Sequence, residues 1–203
     1  MLIRTVLILL SGFFLLGARE GGKESGSGTG TGSAKSPVRI TPSVFILDKG
    51  RQTVPQFIRF MTRYNAGIDT QFTRQLLQTY MSECDIEGIN HDVAICQMCL
   101  ETGFLRFNGS VSRFQHNYCG LGATSDLVAG DWFGSMEEGI RAHIQHLKAY
   151  ASVEPLRNDP VDKRFRHVAR GTVFTIFDLA GKWASDPRYG EKLHILLNNL
   201  FRQ

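Results

Sequence analysis

One carboxylate in this chain stands where a carboxylate is costly. Glu101 closes the run Val93-Ala-Ile-Cys-Gln-Met-Cys-Leu-Glu101, which has almost no polar break. Burial disfavours the charged form of a carboxyl group and raises its pKa. If the run is helical, Glu101 also lies at the negative end of the helix dipole, which pushes the same way. A carboxyl group that keeps its proton near neutral pH can give it to a leaving oxygen, and glycoside cleavage needs such a donor. The competing reading is structural: a glutamate that caps backbone amides or pairs with Arg106. Composition alone does not choose between the two.

Other chemistry-bearing residues give weaker patterns. Cys84, Cys96, Cys99 and Cys119 are the only cysteines. Cys96-Gln-Met-Cys99 is a C-x-x-C inside an apolar run, without the further ligands of a zinc site or the βαβ context of a redox motif. The four read as small core residues, with room for one disulfide. His143 and His146 have helical spacing, but no third ligand is placed, so no metal and no cofactor are expected.

These residues need elements to hold them. Pro55 opens a helical pattern with Phe57, Ile58, Met61 and Tyr64 on one face, ended by Asn65-Ala-Gly67. Asp69 caps a second pattern carrying Phe72, Leu76, Leu77, Tyr80 and Met81. Asn90 caps the run that ends in Glu101, and Gly103 stops it. A helix apolar all round belongs at the centre of a domain. The segment from Phe107 to Asp131 is rich in Gly, Asn, Ser and Thr and reads as loops with a small hairpin. Ser135-Met-Glu-Glu138 matches a capping box for a helix running to Tyr150. After a polar stretch from Glu154 to Arg170, Asp178–Trp183 reads as a short helix. Asp186-Pro187 signals a last helix with Leu193, Leu196, Leu197 and Leu200 inward. The fold class expected is α+β, predominantly α: a helical domain around one buried helix, with a small loop/β lobe.

Leu100-Glu101-Thr-Gly-Phe104, followed by His116-Asn-Tyr-Cys-Gly-Leu-Gly122, resembles the glucosaminidase-type peptidoglycan hydrolases, glycoside hydrolase family 73. Further matches are the stretch Gly139–Tyr150, Val161-Asp-Lys-Arg-Phe165 and Trp183-Ala-Ser-Asp-Pro-Arg-Tyr-Gly190. The resemblance covers roughly residues 85–200. It implies a lysozyme-like fold, cleavage of the β-1,4 bond after N-acetylglucosamine, and Glu101 as the general acid.

The partner of Glu101 stays open at this level. An inverting glycosidase needs a base at ~6.5–9.5 Å and a retaining one a nucleophile at ~5 Å. Asp126, Asp131, Glu137 and Glu138 are the carboxylates on offer. Glu138 has the capping box as its plainer role, and Glu137 reads as a solvated first-turn charge. Assistance by the substrate's own N-acetyl group would need a positioning hydroxyl instead. The resemblance puts Tyr189, in Asp-Pro-x-Tyr, facing the acid. Asn117 and Tyr118 begin the turn that would line the cleft, and Phe114 and Trp132 suit stacking on sugar faces.

The chain has 203 residues, a net charge of +4 and 42% hydrophobic content. The mild basic bias suits a polyanionic envelope and is too small to argue nucleic acid. Residues 1–19 have the layout of a signal peptide or N-terminal anchor: Arg4, then an apolar stretch shorter than the ~20 residues of a bilayer span. Residues 20–37 are a Gly/Ser/Thr tether with too little apolar content to order itself. Residues 38–203 form the domain. The expected protein is exported, to the periplasm, envelope or outside. It is monomeric, acts on peptidoglycan glycan strands, and meets a membrane only through an uncleaved N-terminal segment. Two other functions fit the same pattern: a lytic transglycosylase or muramidase of the same fold, and an inactive wall-binding module.

Overall fold

The computed structural model describes residues 41–123 and 128–203. The signal or anchor segment, the tether and Asp126 lie outside the described residues. The described part is helical, with α1 at Val54–Tyr64, α2 at Thr70–Glu87, α3 at His91–Thr102, α4 at Met136–Ala151 and α5 at Tyr189–Phe201. Three short 3₁₀ helices stand at Arg113–Gln115, Phe165–His167 and Ile176–Leu179.

The helices begin and end where local chemistry demands. Thr53 caps α1, with Gln56 reaching back to its backbone amide at 2.8 Å. Asp69 accepts from the amide of Phe72, and Asn90 from that of Asp92, so each cap satisfies one of the free N–H groups at the start of α2 and α3. α2 and α3 both stop on a glycine in the left-handed region, Gly88 at φ 75° and Gly103 at φ 59°. The Ser135 hydroxyl accepts from the Glu138 amide at 3.2 Å, while the Glu138 carboxylate accepts from Gly134 N at 2.6 Å. The box is therefore present but reaches back one residue further than its usual form. α5 starts at Tyr189, because Asp186 and Pro187 form a turn: Asp186 Oδ1 accepts from Arg188 N and its carbonyl from Tyr189 N.

α3 is the centre. Its residues from His91 to Cys99 are all buried, and α2 and α5 pack against it. α4 packs on α2, and α1 lies against both α2 and α5. The segment before α1 contributes Ile46, whose amide donates to Phe174 O and whose carbonyl accepts from Asn90 N. Trp183 is fully buried, with its ring 5.1 Å from that of His146 and 5.6 Å from that of His143.

The predominantly α, lysozyme-like expectation stands, but its β component shrinks. Among the described residues, β pairing is limited to the isolated bridges Phe45–Thr175 and Ala180–Ala184, and no hairpin forms between Phe107 and Asp131. Side-chain amides occupy the backbone partners that a ladder would use. Gln115 Nε2 donates to Gly130 O, and Asn117 Nδ2 donates to the carbonyls of Leu121 and Asp131. His116, Gly120 and Gly122 also take positive φ, which breaks any extended run. All four cysteines are buried and free, so the disulfide allowed above does not form. No helix of the described residues is long and apolar enough to cross a membrane.

Candidate active site

Glu101 stands in the last turn of α3, partly exposed like Leu100, while His91–Cys99 before them are buried. The chain leaves the helix in a strained way. Phe104, Leu105 and Phe107 all adopt positive φ, at 58°, 64° and 53°. Such conformations cost roughly 1–3 kcal/mol each and persist only where the surroundings enforce them. Here the Phe104 ring stacks on Tyr64 at 4.2 Å and its carbonyl accepts from Asn65 Nδ2. The Thr102 hydroxyl accepts from Leu105 N.

The sharp exit brings the glycine turn over the acid. A side chain at Gly120 would place its first carbon 3.7 Å from Glu101 Oε2. Asn117 fixes the turn from within: its Oδ1 accepts from Leu121 N at 3.0 Å and its Nδ2 donates twice. α4 closes on the same turn. A Cβ at Gly139 would fall 1.7 Å from His116 O, so only glycine admits this approach.

On the other side stands α5. Tyr189 is buried, and its hydroxyl donates to Glu101 Oε1 at 2.5 Å. The hydroxyl in turn accepts from Gln97 Nε2 at 2.8 Å. Gly190 lets the start of α5 sit on the 3₁₀ helix, since a Cβ there would lie 2.5 Å from the Phe177 Cα. Lys192 pairs with Asp186 at 2.6 Å. Burial pushes the Glu101 carboxyl up to about 7, against the lowering effects of hydrogen bonds from Tyr189 and Trp183 and the charge of Lys192. The pairing with Arg106 considered above does not occur: that guanidinium donates to the carbonyls of Gly103 and Tyr64.

Apart from Asp126, each residue singled out from sequence has a definite place. Glu101 and Tyr189 come together. Glu138 is tied to the α4 cap through Gly134 N. Asn117 and Tyr118 are each only 1% exposed, and the Asn117 amide is spent on the turn, so both back the cleft wall from inside. Phe114 and Trp132 are 74% and 60% exposed. Their segments are joined by the bond from Phe133 N to Gln115 O. Asp131 pairs with Arg164 at 3.0 Å across Gly122, and Glu137 is exposed. The histidines of H-x-x-H are engaged: His143 binds Tyr80 and Gln97, and His146 binds Asp162 at 2.7 Å.

Sequence reasoning passed over Gln97, Trp183 and Lys192. Gln97 carried a legible signal. It is the lone amide of the apolar run and lies one helical turn before Glu101, on the same face. The contributions of Trp183 and Lys192 depend on the packing of the C-terminal segment on α3 and had no local signal.

Comparison with known proteins identifies the family. The chain matches the glucosaminidase family model, described as mannosyl-glycoprotein endo-beta-N-acetylglucosaminidase, over residues 77–201. It is 44% identical over 156 residues to an uncharacterized protein of Borreliella burgdorferi, covering 77% of this chain and 76% of that one. No solved structure matches. A helix-end glutamate under a tyrosine hydroxyl, roofed by a glycine turn, thus lies within the matched span, and the chain belongs to the glucosaminidase family of peptidoglycan hydrolases, glycoside hydrolase family 73.

Proposed function

We propose that the chain is an endo-β-N-acetylglucosaminidase that cuts peptidoglycan glycan strands after N-acetylglucosamine, with Glu101 as general acid. The observation that carries this reading is the Glu101 carboxyl, held near 7 by burial while it accepts the Tyr189 hydroxyl. At neutral pH a large fraction of such a group is protonated and able to donate. The family supports a cell-envelope or extracellular place of action, and export through the N-terminal segment belongs to the same reading.

Substrate assistance fits this site better than a second carboxylate. Glu138 is committed to Gly134 N and Asp131 to Arg164, which leaves neither poised as a free base. In this mechanism the acetamido oxygen attacks the anomeric carbon as the bond to the leaving oxygen breaks. Glu101 gives its proton to that oxygen. Water then adds at the anomeric carbon, its proton passes to the Glu101 carboxylate, and the acetamide re-forms. Tyr189 orients the acid and faces the developing charge. Phe114 and Trp132, exposed on adjoining segments, suit stacking on sugar rings.

The test is the product end. Sacculi digested by the full chain, reduced with borohydride and analysed by mass spectrometry, should yield reduced N-acetylglucosamine. Anhydro-muramic ends would replace this reading with a lytic transglycosylase, reduced muramic acid with a muramidase, and no release at all with a wall-binding module.

A further inference from the structure

Behind Tyr189 a line of buried side chains continues to the far side of the core. Tyr189 Oη accepts from Gln97 Nε2 at 2.8 Å. Gln97 Oε1 lies 3.0 Å from His143 Nε2, and His143 Nδ1 lies 2.9 Å from the Tyr80 hydroxyl. Gln97, His143 and Tyr80 are all fully buried. Their order is one of chemistry as well as distance. Burial pushes the His143 pKa down to about 3, with the nearby His146 adding to the effect, so the ring is neutral and carries one proton. An amide oxygen only accepts, so that proton sits on Nε2, and Nδ1 must accept from Tyr80. The hydroxyl of Tyr80 donates to His143, His143 to Gln97, Gln97 to Tyr189, and Tyr189 to Glu101. Every donor points the same way, and such chains polarise one another in a low-dielectric interior.

We propose that Gln97 and His143 are positioning residues that act through Tyr189 to keep Glu101 Oε1 an acceptor, so that the acid proton is carried on Oε2, the oxygen beside Gly120. This rests on the reading of Glu101 as the general acid. A carboxyl whose proton moved between its two oxygens would present the acid to the leaving group only part of the time. A tyrosine alone does not prevent this, because its hydroxyl can turn and accept a proton from Oε1 instead. With the Gln97 amide already donating to Tyr189 Oη, the hydroxyl proton is directed to Oε1. With His143 Nε2–H on Gln97 Oε1, the amide cannot flip without setting two donors against each other. The buried polar groups of three elements, α2, α3 and α4, thereby specify one proton position at the end of α3. The other titratable groups acting on Glu101 are Lys192 and Tyr189 on α5, and Cys119 on the glycine turn senses the same carboxylate.

Gln97→Glu exchanges one donor for an acceptor in the same shape, so that two carboxylates compete for the Tyr189 proton. Turnover of purified sacculi at pH 7 should fall by about 10-fold or more, the scale expected when a reacting group is held less well. It should partly recover toward lower pH, where the introduced carboxyl is protonated and donates again, and this recovery is a response that lost packing would not give. Tyr80→Phe removes only the far hydroxyl and should cost several-fold with the fold unchanged, so it carries the test if Gln97→Glu does not fold. In a Tyr189→Phe background neither change should reduce turnover further, because the path to Glu101 is already cut. Wild-type turnover and pH profile in Gln97→Glu, or the same losses with and without Tyr189, would overturn the proposal. Glu101→Gln, measured alongside, separates the two layers. If it is active, the acid assignment itself falls. If it is inactive while the double variants are additive, only the positioning role falls.

Discussion

Asp92 in the first turn of α3 and Glu101 in its last are both pushed upward by burial, and from there the two carboxylates diverge. Asp92 is 3% exposed and accepts from the backbone amides of Arg51 and Gln52, at 2.8 and 3.1 Å. His91 Nε2 stands 3.4 Å away, and the positive end of the helix lies beneath. Backbone donors cannot turn aside, so Asp92 is held as an anchor that fastens the segment before α1 to the central helix. Glu101 has side-chain donors in place of backbone ones, sits at the negative helix end and is partly open. Two carboxyl groups on one helix thus differ in whether their oxygens are tied to fixed backbone donors or their proton is transferable. The difference comes from who donates to them, since both are desolvated.

The largest expected break of this comparison is Glu101→Gln. It should abolish hydrolysis of sacculi and leave helicity and melting near wild type. It should also remove one pH dependence of stability. Folding raises the Glu101 pKa from 4.5 to about 7, so the folded chain holds this proton more tightly. The resulting stabilisation is complete below about 4.5 and is lost as pH rises through about 7. Urea titrations across that window should show a shallower fall in the variant. An active Glu101→Gln enzyme, or an unchanged slope, would remove the distinction between the two ends of α3.

Next in size is Tyr189→Phe against Glu138→Gln. Removing the one hydroxyl that donates to the acid should cost on the order of 10²–10³ in turnover. Glu138→Gln disturbs only the α4 cap and should cost about 0.5–2 kcal/mol of stability while keeping most turnover. The reverse pattern in kcat measured on folded protein would restore a two-carboxylate mechanism. The smallest effect on activity belongs to Asp92→Asn. It sets an amide NH2, a donor, against one of two fixed backbone donors, and should lower stability by about 1–3 kcal/mol with kcat unchanged at temperatures well below melting. Loss of turnover without loss of stability would show that the anchoring end also serves the chemistry.

Much of this was legible in the sequence because it is written in local signals. Asp69, Asn90 and Gly103 mark helix ends by their own side chains or by the lack of one, and the apolar run before Glu101 placed it on a buried helix. Tyr189 came from resemblance, since nothing in its neighbours indicates that it crosses to α3. The turn-bracing bonds of Asn117 were not legible, because an amide in a glycine turn serves a ligand or a backbone equally well until the turn is closed. Among the described residues the hairpin expected between Phe107 and Asp131 is absent, and polar side chains hold the backbone partners there. The line from Tyr80 to Gln97 was out of reach, because it joins α2, α4 and α3 through contacts more than forty residues apart in sequence.

The four thiols make the fold its own clock. Cys84, Cys96, Cys99 and Cys119 are free and at most 1% exposed, and burial pushes each thiol pKa up, so neither the surface nor the reactive thiolate is available in the closed state. A thiol reagent can therefore modify them only during an opening event, and the labelling rate reports how often that event occurs. Cys84 lies on α2, Cys96 and Cys99 on the central helix, and Cys119 on the turn over Glu101. The order in which they become modified gives the sequence in which these layers separate: a turn that opens alone exposes Cys119 first, and a core that opens as one unit exposes all four together.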